Sequence, residues 1–115
     1  MGEERYYARA CADEALVAQV ATDLASWDPD GIFRAPDDSA APASHARAIL
    51  GILAAGGQPA AIKGYLRHAE INALGAPRST SEERGDRADR IWRWMVVAAV
   101  RAAAAARLGP AGLGA

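Results

Sequence analysis

Cysteine is almost absent from the sequence, since Cys11 is the only one in 115 residues. One cysteine excludes an intramolecular disulfide and any zinc site built from several cysteines. Cys11 lies among alanines with no lysine near it, which is typical of a small buried side chain and not of an activated thiol. The two histidines, His45 and His68, have no partners at the spacing of a metal site or a catalytic triad. We therefore expect no enzymatic activity, no metal and no cofactor.

Long uncharged apolar runs are also missing. The longest one near the C-terminus is 94–100, followed after Arg101 by a run of alanines. Both are well short of the roughly 20 residues that a membrane-spanning helix needs. The N-terminus is charged from Glu3 onward, which argues against a secretory signal. We expect a cytoplasmic protein that does not enter a membrane.

Strand signals are the third absence, because the sequence has neither an alternating apolar pattern nor a hairpin motif between strand-like runs. The hydrophobic fraction is 51%, and much of it is alanine, the best helix former. A chain of this length suits one domain. The sequence thus predicts a single all-α domain over 1–115, a compact bundle of about four helices with long first and last members.

Apolar spacing sets the predicted helix boundaries. The first helix runs from about Glu3 to Trp27, although Asp13 interrupts its apolar stripe, and Ser44 is a plausible N-cap of the second. The later helices cover 44–55, 59–74 and 86–108, the linkers are 28–43 and 75–86, and a flexible tail occupies 109–115.

Each linker contains a local motif. In 28–43, Ile32 and Phe33 are the only large apolar residues and are expected to hold the segment to the bundle. Its four acids do not have the spacing of a calcium loop, so a solvated loop is predicted; they are Asp28, Asp30, Asp37 and Asp38. In 75–86, a capping box can be formed by Ser79 with Glu82 or by Thr80 with Glu83. Gly85 favours a firm helix start at Asp86.

The last helix has two distinct faces. Its apolar stripe consists of Ala88, Ile91, Trp92, Met95, Ala99, Ala102 and Ala106. Another face carries Arg87, Arg90, Trp94 and Arg101, with Arg93 beside it. Residues 1–70 have ten acidic and six basic side chains, whereas residues 71–115 have four acidic and seven basic ones. Such a division suits head-to-tail self-association or a basic face that binds a polyanion.

Basic residues interleaved with an aromatic residue are the main binding signal. The candidate nucleic-acid-binding residues are Lys63, Arg67, Arg90, Arg93 and Arg101. In the third helix Lys63 and Arg67 lie with Glu70 on the face opposite the predicted core. Arginine neutralises phosphates, and Trp94 offers a stacking platform. The competing interpretation is a merely solvated charged face, with Trp94 packed on a partner subunit.

The second and third helices, joined by a glycine break, also suggest a helix-turn-helix in which Lys63, Tyr65 and Arg67 reach DNA. Tyr65, however, belongs to the stripe that the core requires, and the third helix has few side chains suited to reading bases. This alternative is therefore the weaker one.

The segment 57–66, Gly-Gln-Pro-Ala-Ala-Ile-Lys-Gly-Tyr-Leu, is followed after a short linker by a helix with Trp92, Trp94 and Met95. This order resembles the C-terminal half of the small all-helical subunits of type III CRISPR effector complexes, over 46–108. The resemblance implies a non-catalytic subunit that stacks along the complex, with the other effector subunits and guide and target RNA as partners. The five basic residues would then contact the nucleic-acid backbone. The alternative function is a helical protein–protein adaptor or inhibitor with no nucleic-acid role.

Overall fold

The computed structural model describes residues 4–28, 31–33 and 40–114, with side-chain positions for residues 5–107 of these ranges. The described part contains five α-helices and no strand, which confirms the predicted all-α class. A single 3₁₀ turn, Glu4–Tyr6, precedes the first helix. The helices are α1 (Tyr7–Cys11), α2 (Glu14–Trp27), α3 (Ala41–Ala54), α4 (Pro59–Leu74) and α5 (Ser81–Gly114).

The predicted first helix is in fact two helices, which corrects the continuous span from Glu3 to Trp27. The break falls at Asp13, whose backbone is extended and whose Oδ1 accepts a hydrogen bond from the Ala15 N–H at 2.9 Å. Asp13 is therefore the N-cap of α2. Aspartate competes for backbone N–H groups in this way, so it starts a helix more readily than it continues one.

Helix α3 begins at Ala41, before the predicted N-cap Ser44. Pro42 lies in its first turn, where a missing N–H costs nothing. The Ser44 N–H donates to the Ala40 carbonyl at 2.9 Å, so Ser44 is already helical.

Of the four acids predicted for a solvated loop, Asp28 is in fact buried, at 6% exposed, and its Oδ1 accepts a hydrogen bond from the Phe33 N–H at 2.6 Å. The other three lie outside the described residues; they are Asp30, Asp37 and Asp38.

The boundaries of α4 agree with the prediction, with Pro59 in its first turn and Gly75 in the left-handed conformation after its end. Helix α5 starts at Ser81 and not at Asp86. Thr80 and Glu83 form the capping box: the Thr80 N–H donates to Glu83 Oε1 at 2.8 Å, and the Glu83 N–H donates to Thr80 Oγ1 at 3.0 Å. These bonds satisfy two backbone N–H groups at the start of the helix. Their stabilisation outweighs the low helix propensity of Gly85.

Helix α5 is also longer at its other end. Its backbone is helical to Gly114, beyond the predicted end at residue 108, so the segment predicted as a flexible tail is helical as far as that glycine. The alanine-rich sequence that leads into the segment favours helix. At about 1.5 Å per residue, its 34 residues span about 50 Å, close to the 55 Å long axis of the molecule. Helix α5 thus spans nearly the whole molecule and packs against α1, α2 and α4, whereas α3 packs on those three helices.

The core follows the predicted stripes closely. Its large, fully buried side chains come from α2 to α5 and from the segment 31–33; they are Val20, Leu24, Phe33, Ile49, Leu50, Leu53, Ile62, Leu66, Ile91 and Met95. Phe33 is 0% exposed and does hold its segment to the bundle, as predicted. Near the end of α5 the buried alanine is Ala103, whereas Ala106 is exposed. The stripe continues in steps of four from Met95 through Ala99 to Ala103.

Glu70 is the main correction to the predicted faces. The sequence pattern places it on the solvated side of α4, but it is 0% exposed. Its Oε1 accepts hydrogen bonds from the N–H groups of Arg78 at 2.6 Å and Ser79 at 2.7 Å, and its Oε2 accepts one from the Ser79 hydroxyl. Position 70 continues the buried series 62, 66 in steps of four. Glu70 thus ties the α4–α5 turn to the core.

Candidate binding surface

A groove runs between α2 and the middle of α5. On the α5 side it is lined by Arg90, Trp94, Val97 and Arg101. At about 100° per residue, these four positions fall within an arc of about 60°. On the α2 side it is lined by Ala15, Ala18, Gln19, Thr22 and Ser26. Three adjoining depressions share these residues and extend the groove to Arg9 and Ala102. We call this surface the α2–α5 groove.

Asp23 controls the charge at one end of the groove. Its Oδ1 accepts hydrogen bonds from Arg87 at 2.6 Å and Arg90 at 3.2 Å, and its side chain is only 8% exposed. The guanidinium of Arg87 also lies over the Trp27 ring, 5.5 Å from its centroid. Arg87 therefore acts as a packing residue that joins α5 to α2.

Arg90 is predicted from the sequence to bind nucleic acid, and the structure pairs it with Asp23. This ion pair could not be read from the pattern of one helix, because Asp23 is 67 residues away in the sequence. Half of the Arg90 side chain is still accessible, at 46% exposed. A guanidinium has five N–H donors, so Arg90 keeps donors for a second partner.

The other two candidate arginines of α5 are more accessible. Arg93 and Arg101 are exposed, and within the described part of the chain no ion pair involves either. Arg101 lines the groove beside Asp13 and Val97. Arg93 lies about 60° around the helix from Arg90, at the groove's edge. These two arginines are the best placed to bind an external anion.

Lys63 and Arg67 belong to a different part of the surface. Both are on α4, and Lys63 Nζ lies 3.9 Å from the position that a Cβ on Gly85 would occupy. Gly85 and Arg90 point about 140° apart around α5. The five predicted residues therefore do not form one face: Arg90 and Arg101 line the groove, Arg93 flanks it, and the α4 pair lies elsewhere.

Trp94 is packed against the core while lining the groove. The exposed large hydrophobic residues of the described chain are Val97, 47% exposed, and Val100, 42% exposed. Val97 lines the groove with Trp94, whereas Val100 lies about 120° around α5 from Trp94, on the side of Arg93. The surface thus combines the features of an anion site and of a protein-docking site.

Cys11, His45 and Tyr65 lie outside the groove. Burial raises the pKa of the Cys11 thiol to about 11, so it stays protonated and unreactive near neutral pH. His45 Nδ1 is 2.7 Å from the Tyr65 hydroxyl, and burial lowers the pKa of His45 although the charge of Asp28 partly offsets this.

No cluster of three or more potential metal ligands occurs among the described residues. None of the described helices combines the length and hydrophobicity needed to cross a bilayer.

Sequence reasoning missed the buried charged residues, which are Asp23, Asp28, Glu70 and Arg84. A signal was present for two of them. Asp23 is three residues after the buried Val20, and Glu70 is four residues after the buried Leu66. A charged residue at a stripe position therefore indicated a tertiary ion pair.

Comparison of the chain with protein-family models, with curated proteins and with solved structures finds no match.

Proposed function

We propose that the protein is a non-catalytic binding subunit whose α2–α5 groove contacts single-stranded RNA, as in the RNA-guided effector complexes that its C-terminal half resembles. One observation carries the proposal: Trp94 lies in a single groove with Arg90 on one side and Arg101 on the other. An aromatic platform flanked by guanidinium groups suits a nucleic-acid strand, since bases stack and phosphates pair with arginine.

The acidic residues in the groove are expected to make the binding of RNA by a single subunit weak. The Asp23 carboxylate forms an ion pair with Arg90 and partly neutralises it. Asp13 lines the groove next to Arg101, so its carboxylate reduces the positive potential there. Several copies along one strand would offset this weakness, because each further contact is made at high effective concentration. This suits a subunit that stacks along its complex, with the other effector subunits and guide or target RNA as partners. Lys63 and Arg67 would contact a separate stretch of RNA.

Two double variants of equal charge test the proposal. Arg93→Ala with Arg101→Ala removes the two accessible arginines at the groove, and Arg5→Ala with Arg47→Ala removes two exposed arginines elsewhere. Binding of the full chain to a fluorescent single-stranded RNA is measured by anisotropy over a range of low salt concentrations. The groove variant should lose affinity, and its salt slope should fall by about 0.7 for each phosphate that is no longer neutralised. Equal binding by the two variants would contradict the proposal.

The exposed side chains of Val97 and Val100 favour a second candidate, the protein–protein adaptor. Apolar side chains contribute little to phosphate binding but are typical of a protein interface. A photo-crosslinking amino acid at position 97 in the groove, with one at the exposed position 61 of α4 as control, distinguishes the candidates in cells. RNA adducts specific to position 97 support the first candidate, and protein adducts specific to it support the adaptor.

A further inference from the structure

A second recess lies between α3 and α4, beside the segment 31–33. Its volume is about 320 Å³, close to the lower limit for ligand pockets. It is lined by Ile32, His45, Tyr65, His68, Ala69, Asn72 and Ala73. Both histidines of the chain are therefore brought to one place from different helices. None of these residues lines the α2–α5 groove, so an inference about this recess does not rest on the RNA contact proposed there. We call this recess the His45–Tyr65 pocket.

The two residues that name the pocket form a hydrogen-bonded pair, with His45 Nδ1 2.7 Å from the Tyr65 hydroxyl oxygen. A neutral histidine donates from one ring nitrogen and accepts at the other. If Nδ1 accepts the tyrosine proton, the Tyr65 oxygen keeps its capacity to accept. If Nδ1 donates, the Tyr65 hydroxyl is free to donate. In both tautomers Tyr65 can bond to one polar group of a ligand.

Aromatic packing fixes the orientation of this pair. The His45 ring meets the buried Phe33 ring edge to face, with centroids 4.9 Å apart at 84°. It also meets the Tyr65 ring at 70°, with centroids 6.0 Å apart. Edge-to-face pairs are favourable because the positive ring edge meets the negative ring face. The His45 and Tyr65 rings therefore form planar walls of the pocket, and the side chains of Ile32, Ala69 and Ala73 add apolar surface to it.

The pocket lining contains no carboxylate, ammonium or guanidinium group. Burial lowers the pKa of His45 and raises the pKa of Tyr65, so the imidazole is neutral and the phenol keeps its proton. A charged ligand would lose hydration here without gaining an opposite charge. The remaining polar groups are the His68 imidazole and the Asn72 amide, both at the exposed rim, and the amide both donates and accepts.

We propose that the His45–Tyr65 pocket binds a small, planar, uncharged ring compound that carries one hydroxyl or carbonyl group. The ring lies against the fixed aromatic walls, and its polar group bonds to the Tyr65 hydroxyl. The Asn72 amide at the rim selects for a second polar substituent.

Phenol is the probe for the first test, with cyclohexanol as a non-planar alcohol and benzoate as a charged ring. Each is titrated into the ¹⁵N-labelled full chain, and amide and imidazole shifts are followed by NMR. Phenol should give saturable shifts at the lining residues with a dissociation constant on the order of 1 mM, as expected for so small a ligand. Cyclohexanol and benzoate should bind more weakly. No saturation by about 10 mM phenol, or equal binding of all three compounds, would overturn the proposal.

Matched variants test the named contact. Tyr65→Phe removes the hydroxyl and should weaken phenol binding roughly 3–10-fold, the effect of one hydrogen bond. Tyr6→Phe makes the same chemical change outside the pocket and should have no effect. Ala69→Leu fills the pocket and should abolish the shifts; if its circular dichroism shows misfolding, Ala73→Leu at the exposed rim replaces it. Equal phenol affinity in the two tyrosine variants, or full binding by a folded pocket-filling variant, contradicts the assignment.

Discussion

Arg84 Nη1 and Glu70 Oε2 lie 3.8 Å apart, with the two side chains 8% and 0% exposed. One residue comes from the first turns of α5 and the other from the C-terminal half of α4, so the pair joins the two helices across their connecting turn. Arg84 also donates from Nη1 to the Ser79 hydroxyl at 3.1 Å. Buried charges are tolerated when they are hydrogen-bonded in this way, and losing one partner leaves the other uncompensated.

Glu70→Ala is therefore expected to be among the most damaging single substitutions. It removes the acceptor of two backbone N–H groups and leaves Arg84 buried without its carboxylate. The expected loss in the free energy of unfolding is about 3–5 kcal/mol, measured by urea denaturation. Glu82→Ala, at an exposed glutamate in the first turn of α5, is the control and should cost less than about 1 kcal/mol. Similar losses in the two variants would contradict the role given to Glu70.

Glu70 also predicts a pH dependence of stability. Burial alone raises its pKa, but the hydrogen bonds from Ser79 and Arg78 and the charge of Arg84 outweigh it, so the pKa lies below its ordinary value of 4.5. The unfolded chain then binds the proton more readily than the folded one. The stabilisation is present above pH 4.5 and is lost as the pH falls through the lower folded pKa.

Urea denaturation from about pH 7 to about pH 3 measures this effect. Wild type should lose stability on acidification, and Glu70→Gln, which cannot ionise, should lose less over the same range. Glu82→Gln should retain the wild-type slope. Parallel pH profiles for wild type and Glu70→Gln would show that Glu70 does not contribute.

Two glycines are expected to respond to alanine in opposite directions. A Cβ on Gly57 would lie 2.6 Å from Ile52 Cγ2 and 2.8 Å from the Ile52 carbonyl oxygen, so Gly57→Ala should cost about 1–3 kcal/mol. Gly64 lies within α4, and a Cβ there meets nothing within 4 Å. Gly64→Ala should stabilise the protein by about 0.5–1 kcal/mol, because alanine favours helix. Thermal unfolding shows whether each substitution raises or lowers stability. A stabilising effect of Gly57→Ala would contradict the close approach of position 57 to Ile52.

Asp23→Asn tests the charge balance of the groove. Removing the carboxylate charge should free Arg90 for an external phosphate and increase the affinity of the protein for single-stranded RNA. The salt slope should steepen by about 0.7 for each additional phosphate that is neutralised. Asp89→Asn makes the same change in net charge at an exposed site on α5, about 100° from Arg90, and should have a smaller effect. Equal increases in affinity would indicate a general effect of net charge and not the release of Arg90.

Local information in the sequence was sufficient for much of the fold. The all-α class and the extent of α4 follow from apolar spacing, alanine content and the positions of Pro59 and Gly75. These signals act within a few residues of one another. The ends of helices are harder to predict. Asp13 could lie inside one long helix or cap the second of two, and such alternatives differ in free energy by only about 1 kcal/mol, so local patterns distinguish them less well.

Only the tertiary structure determined which charged residues are accessible. The sequence identified the basic character of α5, but the approach of α2 pairs Arg90 with Asp23, and the turn after α4 encloses Glu70 with Arg84. The same packing brings His45 and Tyr65, 20 residues apart, to within 2.7 Å. Such pairs depend on the relative placement of helices, which is set by the fit of whole core faces, and no local pattern in the chain encodes it.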